Sequence, residues 1–399
     1  MKDNEAYKNT SIGLIPSDWE VKRLGDFVNI SSGVSPSSLK LSGVKKKYPY
    51  LKVEDLNNCD KYQVSSREYS DEEKSIIAKN SVIFPKRGAA ILNNKVRINS
   101  VPVQMDSNMM ALTPVNGKLF TEYLFYTIIR VQLFKIADTS SIPQINNKHI
   151  LPFLFPLPPL PEQQKIALIL STWDTAIDNC KAIIEELKVR NKGLARQLLS
   201  GKMRINGFEE SKWVEKKGNK IFRNNTDKTH NGDLEILSAT QERGVIPRSM
   251  NNIDIKYDKS SLGTYKKVEV GDYVISLRSF QGGIEYSEYE GIVSPAYTIL
   301  KEITPISKKF YKVYFKTETF INRLNTIIYG IRDGKQISFS DFATLNIPYP
   351  SIEEQNEIAI ILDKATEELN QYQQKLQTLQ LQKKGLMQQL LTGKVRVKI

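Results

Sequence analysis

PPLPEQQKIALILSTWDTAIDNCKAIIEELKVRNKGLARQLLSGKMR, residues Pro158 to Arg204, returns 192 positions later as PSIEEQNEIAIILDKATEELNQYQQKLQTLQLQKKGLMQQLLTGKVR, residues Pro350 to Arg396. No gap is needed, and 17 of the 47 positions are identical, among them Glu162-Gln163 with Glu354-Gln355, Ile166-Ala167 with Ile358-Ala359 and Gly193-Leu194 with Gly385-Leu386. A repeat of this length constrains the architecture before any single motif does. Each copy leaves a Pro-rich stretch, FPLPPLPEQQ at Phe155 or IPYPSIEEQ at Ile347, and stops at LSGK or LTGK. Pro before the first turn and Gly after the last bracket one long helix, and Ser351 with Glu354 fits a capping box.

Inside the first copy Ile166, Leu170, Trp173, Ile177, Cys180, Ile184, Leu187, Asn191, Leu194 and Leu198 alternate four and three residues apart. Ile358, Leu362, Ala365, Leu369, Tyr372, Leu376, Leu379, Lys383, Leu386 and Leu390 take the same places in the second. Spacing of 3.5 residues sustained over more than four heptads predicts a coiled-coil seam about 50 Å long; an ordinary amphipathic helix packed on its own domain is the plainer alternative. The polar interruptions Asn191 and Lys383 select the pairing. Antiparallel, Asn191 meets the small Ala365 and Lys383 meets Trp173; parallel, Asn191 would stack on Lys383. The antiparallel arrangement is therefore expected.

Working outward, the register persists weakly upstream: Gln144-Ile145 falls on Gln336-Ile337 and Val82-Ile83 on Val274-Ile275. Elsewhere the halves diverge, apart from Trp19 and Trp213, which open each half two residues off register. The chain reads as a first variable domain over 1–155, a long helix over 156–204, a second variable domain over 205–347 and a second long helix over 348–399. The fold class expected is α+β: two mixed α/β domains separated by two long helices that form an antiparallel coiled coil, with internal pseudo-twofold symmetry.

The 399 residues carry 57 Lys and Arg against 44 Asp and Glu, a net charge of +13 that suits a polyanionic partner. Cys59, Cys180, His149 and His230 are too scattered for a metal site or a disulfide framework, which suggests a reducing compartment. No stretch is long and apolar enough to span a membrane, so a cytoplasmic location is expected.

Each variable domain has a strand running into a loop with basic residues and glycine, VIFPKRG at Val82 and VISLRSFQGG at Val274, then an aromatic-rich helix and a polar loop. Arg and Lys suit guanine, Asn and Gln suit adenine, and Ser and Thr suit either. The candidate DNA-contacting residues of the first domain are Lys45, Lys46, Lys47, Lys86, Arg87, Asn93, Asn94, Lys95, Ser141, Gln144, Asn146 and Lys148. Those of the second are Thr240, Gln241, Arg243, Lys266, Lys267, Arg278, Ser279, Gln281, Arg332, Lys335 and Gln336. Lys45 to Lys47 and Lys266 with Lys267 would serve phosphates. For any one of them a solvated surface role is the competing reading, and Tyr123, Phe125, Tyr126 and Phe134 read as core.

Catalytic signatures are missing from the sequence. No phosphate-binding G-x-x-x-x-G-K-[ST], HExxH or G-x-S-x-G occurs, and LPPL at Leu157 has Leu where a base-holding [DN]-P-P-[YF] loop needs Asp or Asn. No catalytic or metal residue is assigned.

With its IPSDWEVKRLGDF opening at Ile15, P-x-x-x-E-Q-x-x-I-A at Pro158 and Pro350, and LL-[ST]-GK-x-R endings at Leu198 and Leu390, the chain resembles the specificity subunits of type I restriction-modification systems. That resemblance covers the whole chain. It implies a non-catalytic prokaryotic DNA reader with two target recognition domains, each reading one half of an asymmetric, bipartite target, and helices that set the spacer and dock two methyltransferase subunits. Restriction subunits, S-adenosylmethionine for adenine-N6 methylation, and ATP with Mg for cleavage would belong to the partners, leaving no cofactor in this chain. The second domain opens WVEKKGNKIF rather than WEVKRLGDF, which leaves its first strand unassigned. A structural adaptor spacing two protein-binding domains is the rival function.

Overall fold

A computed structural model describes residues 7–139, 142–251, 259–328 and 337–399. It falls into two compact units, Met1–Lys181 with Gln374–Ile399, and Ala182–Gln373. The boundary cuts both long helices, Leu160–Leu199 and Ile352–Leu390, so each unit owns the start of one and the end of the other.

The first unit contains a five-stranded sheet in the order Val28–Ser32, Met109–Pro114, Val82–Pro85, Arg97–Asn99, Tyr62–Gln63. The second has a four-stranded sheet in the order Phe222–Asn225, Thr298–Glu302, Tyr273–Ile275, Glu285–Tyr286. In both, the central hydrophobic strand is the one on which Val82-Ile83 and Val274-Ile275 coincide. These residues are fully buried, which is why they kept a matching apolar pair while the loops around them diverged. Each unit adds a two-stranded ladder beside a long helix: Glu20–Arg23 pairs antiparallel with Leu154–Leu157, and Val214–Lys217 with Asn346–Tyr349. The strand left unassigned in WVEKKGNKIF is therefore present.

The aromatic helix Thr121–Val131 buries Tyr123, Phe125 and Tyr126, whereas Phe134, on the short following helix, is 37% exposed and not core. Tyr123 and its register partner in the other half do not match, yet Tyr123 Oη and Tyr311 Oη both donate to the Pro carbonyl preceding a long helix, Pro156 at 2.8 Å and Pro348 at 2.9 Å. Phe222 anchors the second core, with the rings of Tyr273, Tyr311 and Phe342 edge-on at 5.5, 5.7 and 5.9 Å. Such contacts are worth about 0.5–1.5 kcal/mol each beyond area burial.

Within each unit the helix segments run antiparallel. In the second, Asn191 Nδ2 donates to the Ala365 carbonyl at 2.7 Å and Arg190 pairs with Glu368 at 2.6 Å. In the first, Lys383 pairs with Asp174, the residue after Trp173, and lies 5.4 Å from the Tyr126 ring centroid. Asn191 thus meets Ala365 as the pairing required, whereas Lys383 turns to Asp174, one residue beyond the Trp173 expected for it. Ile166, Leu170, Ile177, Cys180, Ile184, Leu187, Ile358, Leu362 and Ala365 are buried. Trp173, Leu369, Leu376 and Leu379 are half-buried, as befits a two-helix seam where one partner alone covers each side chain.

The seam is closed by an exchange between repeats. In the first unit Arg396, at the end of the second repeat, donates to Glu162, at the start of the first, at 2.7 and 3.0 Å. In the second unit Arg204 donates to Glu354 at 2.8 and 3.2 Å. Both carboxylates are about 1% exposed or less. Trp19 Nε1 donates to Glu162 Oε2 at 2.9 Å, and Ser211, which stands 192 residues after Trp19, makes the equivalent bond to Glu354 at 3.1 Å. Trp213 has moved two residues along, where the Arg204 guanidinium lies 5.7 Å from its ring centroid. The Glu354 carboxylate therefore serves Arg204 instead of completing a capping box, and Ser351 supplies only the half in which its hydroxyl accepts from Glu354 N at 3.2 Å.

Beside each glutamate a buried glutamine fixes the domain to its helix. Gln163 donates to Pro158 O and accepts from Phe120 N; Gln355 donates to Pro350 O and accepts from Ser307 N, all at 2.8–2.9 Å. The LSGK and LTGK glycines, Gly201 and Gly393, each end a helix at φ +70°, a left-handed turn that a side chain would strain.

Removing one member of a buried ion pair strands the other, at a cost of about 3 kcal/mol. Glu354→Gln and Glu162→Gln should therefore each lower the urea midpoint of unfolding, and unchanged midpoints would show that the exchanged pairs do not hold the seam.

Candidate nucleic-acid interface

In the first unit, strand Val82–Pro85 delivers Lys86 and Arg87 to the surface, and the polar loop carrying Gln144 lies alongside them. Ile145 N donates to Lys86 O and Gly88 N to Pro143 O, both at 2.9 Å, and Arg87 forms a backbone bridge with Gln144. The two segments that sequence reading marked independently, VIFPKRG and the loop after Thr139, thus form one rim. Lys86 Nζ donates to Ser32 Oγ at 2.9 Å, its amide to the Asn108 carbonyl at 2.7 Å, and burial lowers its pKa from the usual lysine range. Ser32 and Asn108 are additions to the sequence set; an Asp-Ser-Asn turn, with Asp106 accepting from Asn108 N and Nδ2 at 2.7 Å, was the overlooked signal.

The remaining candidates of this domain divide by what already holds them. Lys46 pairs with Asp71 at 3.3 Å and Lys47 with Glu73 at 2.5 Å, leaving Lys45 as the one of the three with no acidic partner among the described residues. Asn94 sits at φ +48° and bonds on both sides, donating to Ile129 O at 3.0 Å and accepting from Leu133 N at 2.9 Å. It pins its loop to the aromatic helix through both ends of its amide. Asn93, Asn146 and Lys148 are exposed and Lys95 is half-exposed. Asn146 also precedes a short helix, its amide donating to His149 Nδ1 at 3.1 Å. Ser141 lies outside the described residues, as do Arg332, Lys335 and Gln336 of the second domain.

In the second unit the hairpin Leu237–Thr240 with Gly244–Pro247 presents Gln241 and Arg243 at its tip. Thr240 is spent on the turn, donating to Gly244 O at 2.9 Å and accepting from Arg243 N at 3.1 Å. The helix Ser279–Gly282 follows strand Tyr273–Ile275, with Arg278 and Gln281 exposed. Ser279 is buried and its hydroxyl accepts from Ser276 N at 2.8 Å. Lys266 donates to Tyr297 O at 2.6 Å, with burial lowering its pKa, and Lys267 pairs with Glu290 at 3.0 Å, so neither is a free phosphate contact. One residue that sequence reading missed joins the hairpin to the short helix. Lys316 Nζ donates to Gly282 O at 2.9 Å, Gln241 O at 3.2 Å and Glu285 Oε1 at 2.5 Å.

What the two rims share is an exposed Arg close to a Gln, Arg87 with the half-buried Gln144 and Arg243 with the exposed Gln241. They differ in the elements that carry them. This combination offers charge to phosphates and planar amide and guanidinium groups to base edges. No group of three or more His, Cys, Asp or Glu that could hold a metal occurs among the described residues, and no helix among them is long and apolar enough to cross a membrane.

Comparison with known proteins follows the same division. The family model described as type I restriction modification DNA specificity domain matches twice, at residues 16–189 and 202–381. Two proteins of Methanocaldococcus jannaschii, described as the MjaX and MjaVIII specificity subunits of type I restriction enzymes, are 28% and 26% identical to this chain. They align over 99% and 96% of it and over 97% and 94% of their own lengths. The crystal structure of a type I restriction-modification S subunit from M. genitalium superimposes with a TM-score of 0.54 at 16% identity, covering 94% of this chain and 96% of that one.

Arg87 is exposed on its rim, whereas Lys47 is already neutralised. Arg87→Ala should weaken duplex binding and reduce the slope of log affinity against log salt by about 1, the signature of one lost phosphate contact. Lys47→Ala should change neither; anisotropy titrations over a salt series on both variants measure the difference.

Proposed function

The chain belongs to the type I restriction-modification DNA specificity family, and from that membership we propose that it reads an asymmetric, bipartite duplex target, one half-site per domain. The observation that carries this reading is the pairing of one frame with two different rims. The long helices and their exchanged Arg–Glu contacts are equivalent in the two units, while Arg87 and Gln144 in one rim correspond to Gln241, Arg243 and Gln281 arranged on other elements in the second. Equivalent frames suit two half-sites on a double helix; unlike rims suit two different sequences. The helices would set the length of the unread spacer.

Partner docking has its own support. Apolar residues at the outermost, seam-opposed positions of the long helices recur at the repeat interval: Leu168 and Ile360 are 60% and 45% exposed, Val189 and Leu381 75% and 70%. A side chain there contributes nothing to the seam, and its duplication offers the same surface twice. Two copies of one methyltransferase subunit fit that duplication, with restriction subunits joining the assembly. Catalysis in this reading is theirs, together with S-adenosylmethionine, ATP and Mg, and the complex works in the cytoplasm of a prokaryote. A protein-spacing adaptor would use the same apolar positions but would show no preference for a DNA sequence.

Mapping methylated adenines in the host genome with and without this gene tests the proposal, since one bipartite motif with a fixed spacer should vanish with the gene. Exchanging residues 1–155 for the first domain of a relative should then alter one half of that motif and leave the other intact. A change in both halves, or no motif at all, would defeat it.

A further inference from the structure

The second unit holds a cleft of about 700 Å³ between the Gln241–Gly244 turn, Gly282 to Glu288, and Lys312 to Lys316. Its floor is built around an ion pair. Glu285 is 2% exposed; one carboxylate oxygen accepts from Lys316 Nζ at 2.5 Å and the other is buried with no hydrogen-bond partner among the described residues. Burial pushes the Glu285 pKa up, opposed by the Lys316 ammonium. An ammonium has three N–H donors, and Lys316 spends them on Glu285, Gly282 O and Gln241 O. It has none left for a ligand. What it does is lash the turn carrying Gln241 to the backbone of the short helix.

Gln241 itself is exposed, and its side-chain amide bonds to no described residue. Its aliphatic stem lies flat on Gly282: a Cβ built on that glycine would stand 2.7 Å from Gln241 Cγ and 3.0 Å from Cδ. With the backbone tied by Lys316 and the side chain resting on a bare Cα, its Nε2 also only 3.1 Å from that built Cβ, the amide is restrained without spending its own hydrogen-bonding groups. A pre-set primary amide with both its donor and acceptor free matches the N6 and N7 groups of adenine in the major groove. Arg243, two residues on and exposed, is placed to meet the adjoining phosphate or a guanine. Lys312, by contrast, is engaged by Glu288 at 2.6 Å and lies over the Tyr286 ring.

Resting on the DNA-reading function above, we propose that Gln241 reads an adenine in the half-site of the second domain, and that Lys316, seated on Glu285, is the positioning residue that presents it.

The test uses the full chain co-expressed with the methyltransferase subunits of its host. The complex is challenged with a library of randomised duplex DNA, and the bound fraction is sequenced. For the wild type, a bipartite preference is expected. Gln241→Leu should erase the preference for adenine at one position of one half-site, a loss of about tenfold to hundredfold for a bidentate amide contact. Gly282→Ala, whose new methyl group meets the Gln241 side chain first, should flatten the same position while the thermal midpoint stays unchanged. Lys316→Met should do likewise, and Lys316→Arg, which keeps a cation opposite Glu285, should retain more of the preference. If the wild-type complex shows its bipartite motif and all these variants keep every position of it, the assignment of Gln241 and Lys316 is overturned while the broader function stands. If the variants instead fail to assemble with the methyltransferase, the cleft is a protein contact and the inference falls. A wild-type complex with no sequence preference removes the premise and the inference together.

Discussion

Two guanidinium–carboxylate contacts, Arg396 with Glu162 and Arg204 with Glu354, are what the rest of the structure depends on. A carboxylate withdrawn from water is costly unless a cation and hydrogen-bond donors meet it. Here the cation comes from the other repeat, 234 residues away in one case and 150 in the other. Neither long helix can therefore neutralise the carboxylate of its first turn on its own, because the guanidinium that meets it follows the end of the other. The seam residues, the buried glutamines and the Pro carbonyls that accept from Tyr123 and Tyr311 all assemble behind that requirement.

The recognition rims stand outside this chain of dependence. Arg87, Gln144, Gln241 and Arg243 contribute little to either core, and so their identities are free to be set by what they touch. The net charge of +13 is likewise a poor guide to location. Several of the cations that contribute to it are engaged locally, Lys46 by Asp71, Lys47 by Glu73 and Lys267 by Glu290. Others are turned inward to backbone carbonyls, as Lys266 is. Arg87 and Arg243, exposed on the rims, are among the cations left open to a polyanion.

What could be read from sequence was whatever repeats or has a period. The spacing of four and three residues fixed the helices and their antiparallel sense, and Asn191 found the Ala365 carbonyl because a small residue there leaves the backbone accessible. Matching buried pairs such as Val82-Ile83 and Val274-Ile275 located the central strands. Side-chain partners across the fold were not readable. Nothing in KKK at Lys45 announces that Asp71 and Glu73 lie beside it, and Asn94 looks like a surface amide until its two backbone partners are seen. Lys316 and Glu285 are 31 residues apart, one in the turn after an aromatic-rich helix and one on a short strand, with no spacing to link them. Glu162 and Glu354 were visible as a repeated Glu-Gln; their exchange of arginines was not, since reciprocity is a property of three dimensions. Four of the loop candidates, Ser141, Arg332, Lys335 and Gln336, fall outside the described residues.

The reciprocal contacts also leave a trace in how the duplicated segments have aged. Identical positions gather at the two extremities of the repeat, and between Ser171 and Glu186 none of the sixteen positions matches its counterpart. A copying error in the middle of a helix can be absorbed by a single neighbour in the seam. An error at Glu162 must be answered at Arg396, in a stretch of gene duplicated from elsewhere, and the same holds for Glu354 and Arg204. Two distant mutations seldom arrive together, so the ends of the repeats drift slowly while their middles and the domains they carry diverge. The molecule thereby keeps an archive of its own doubling at the places where each half answers for the other.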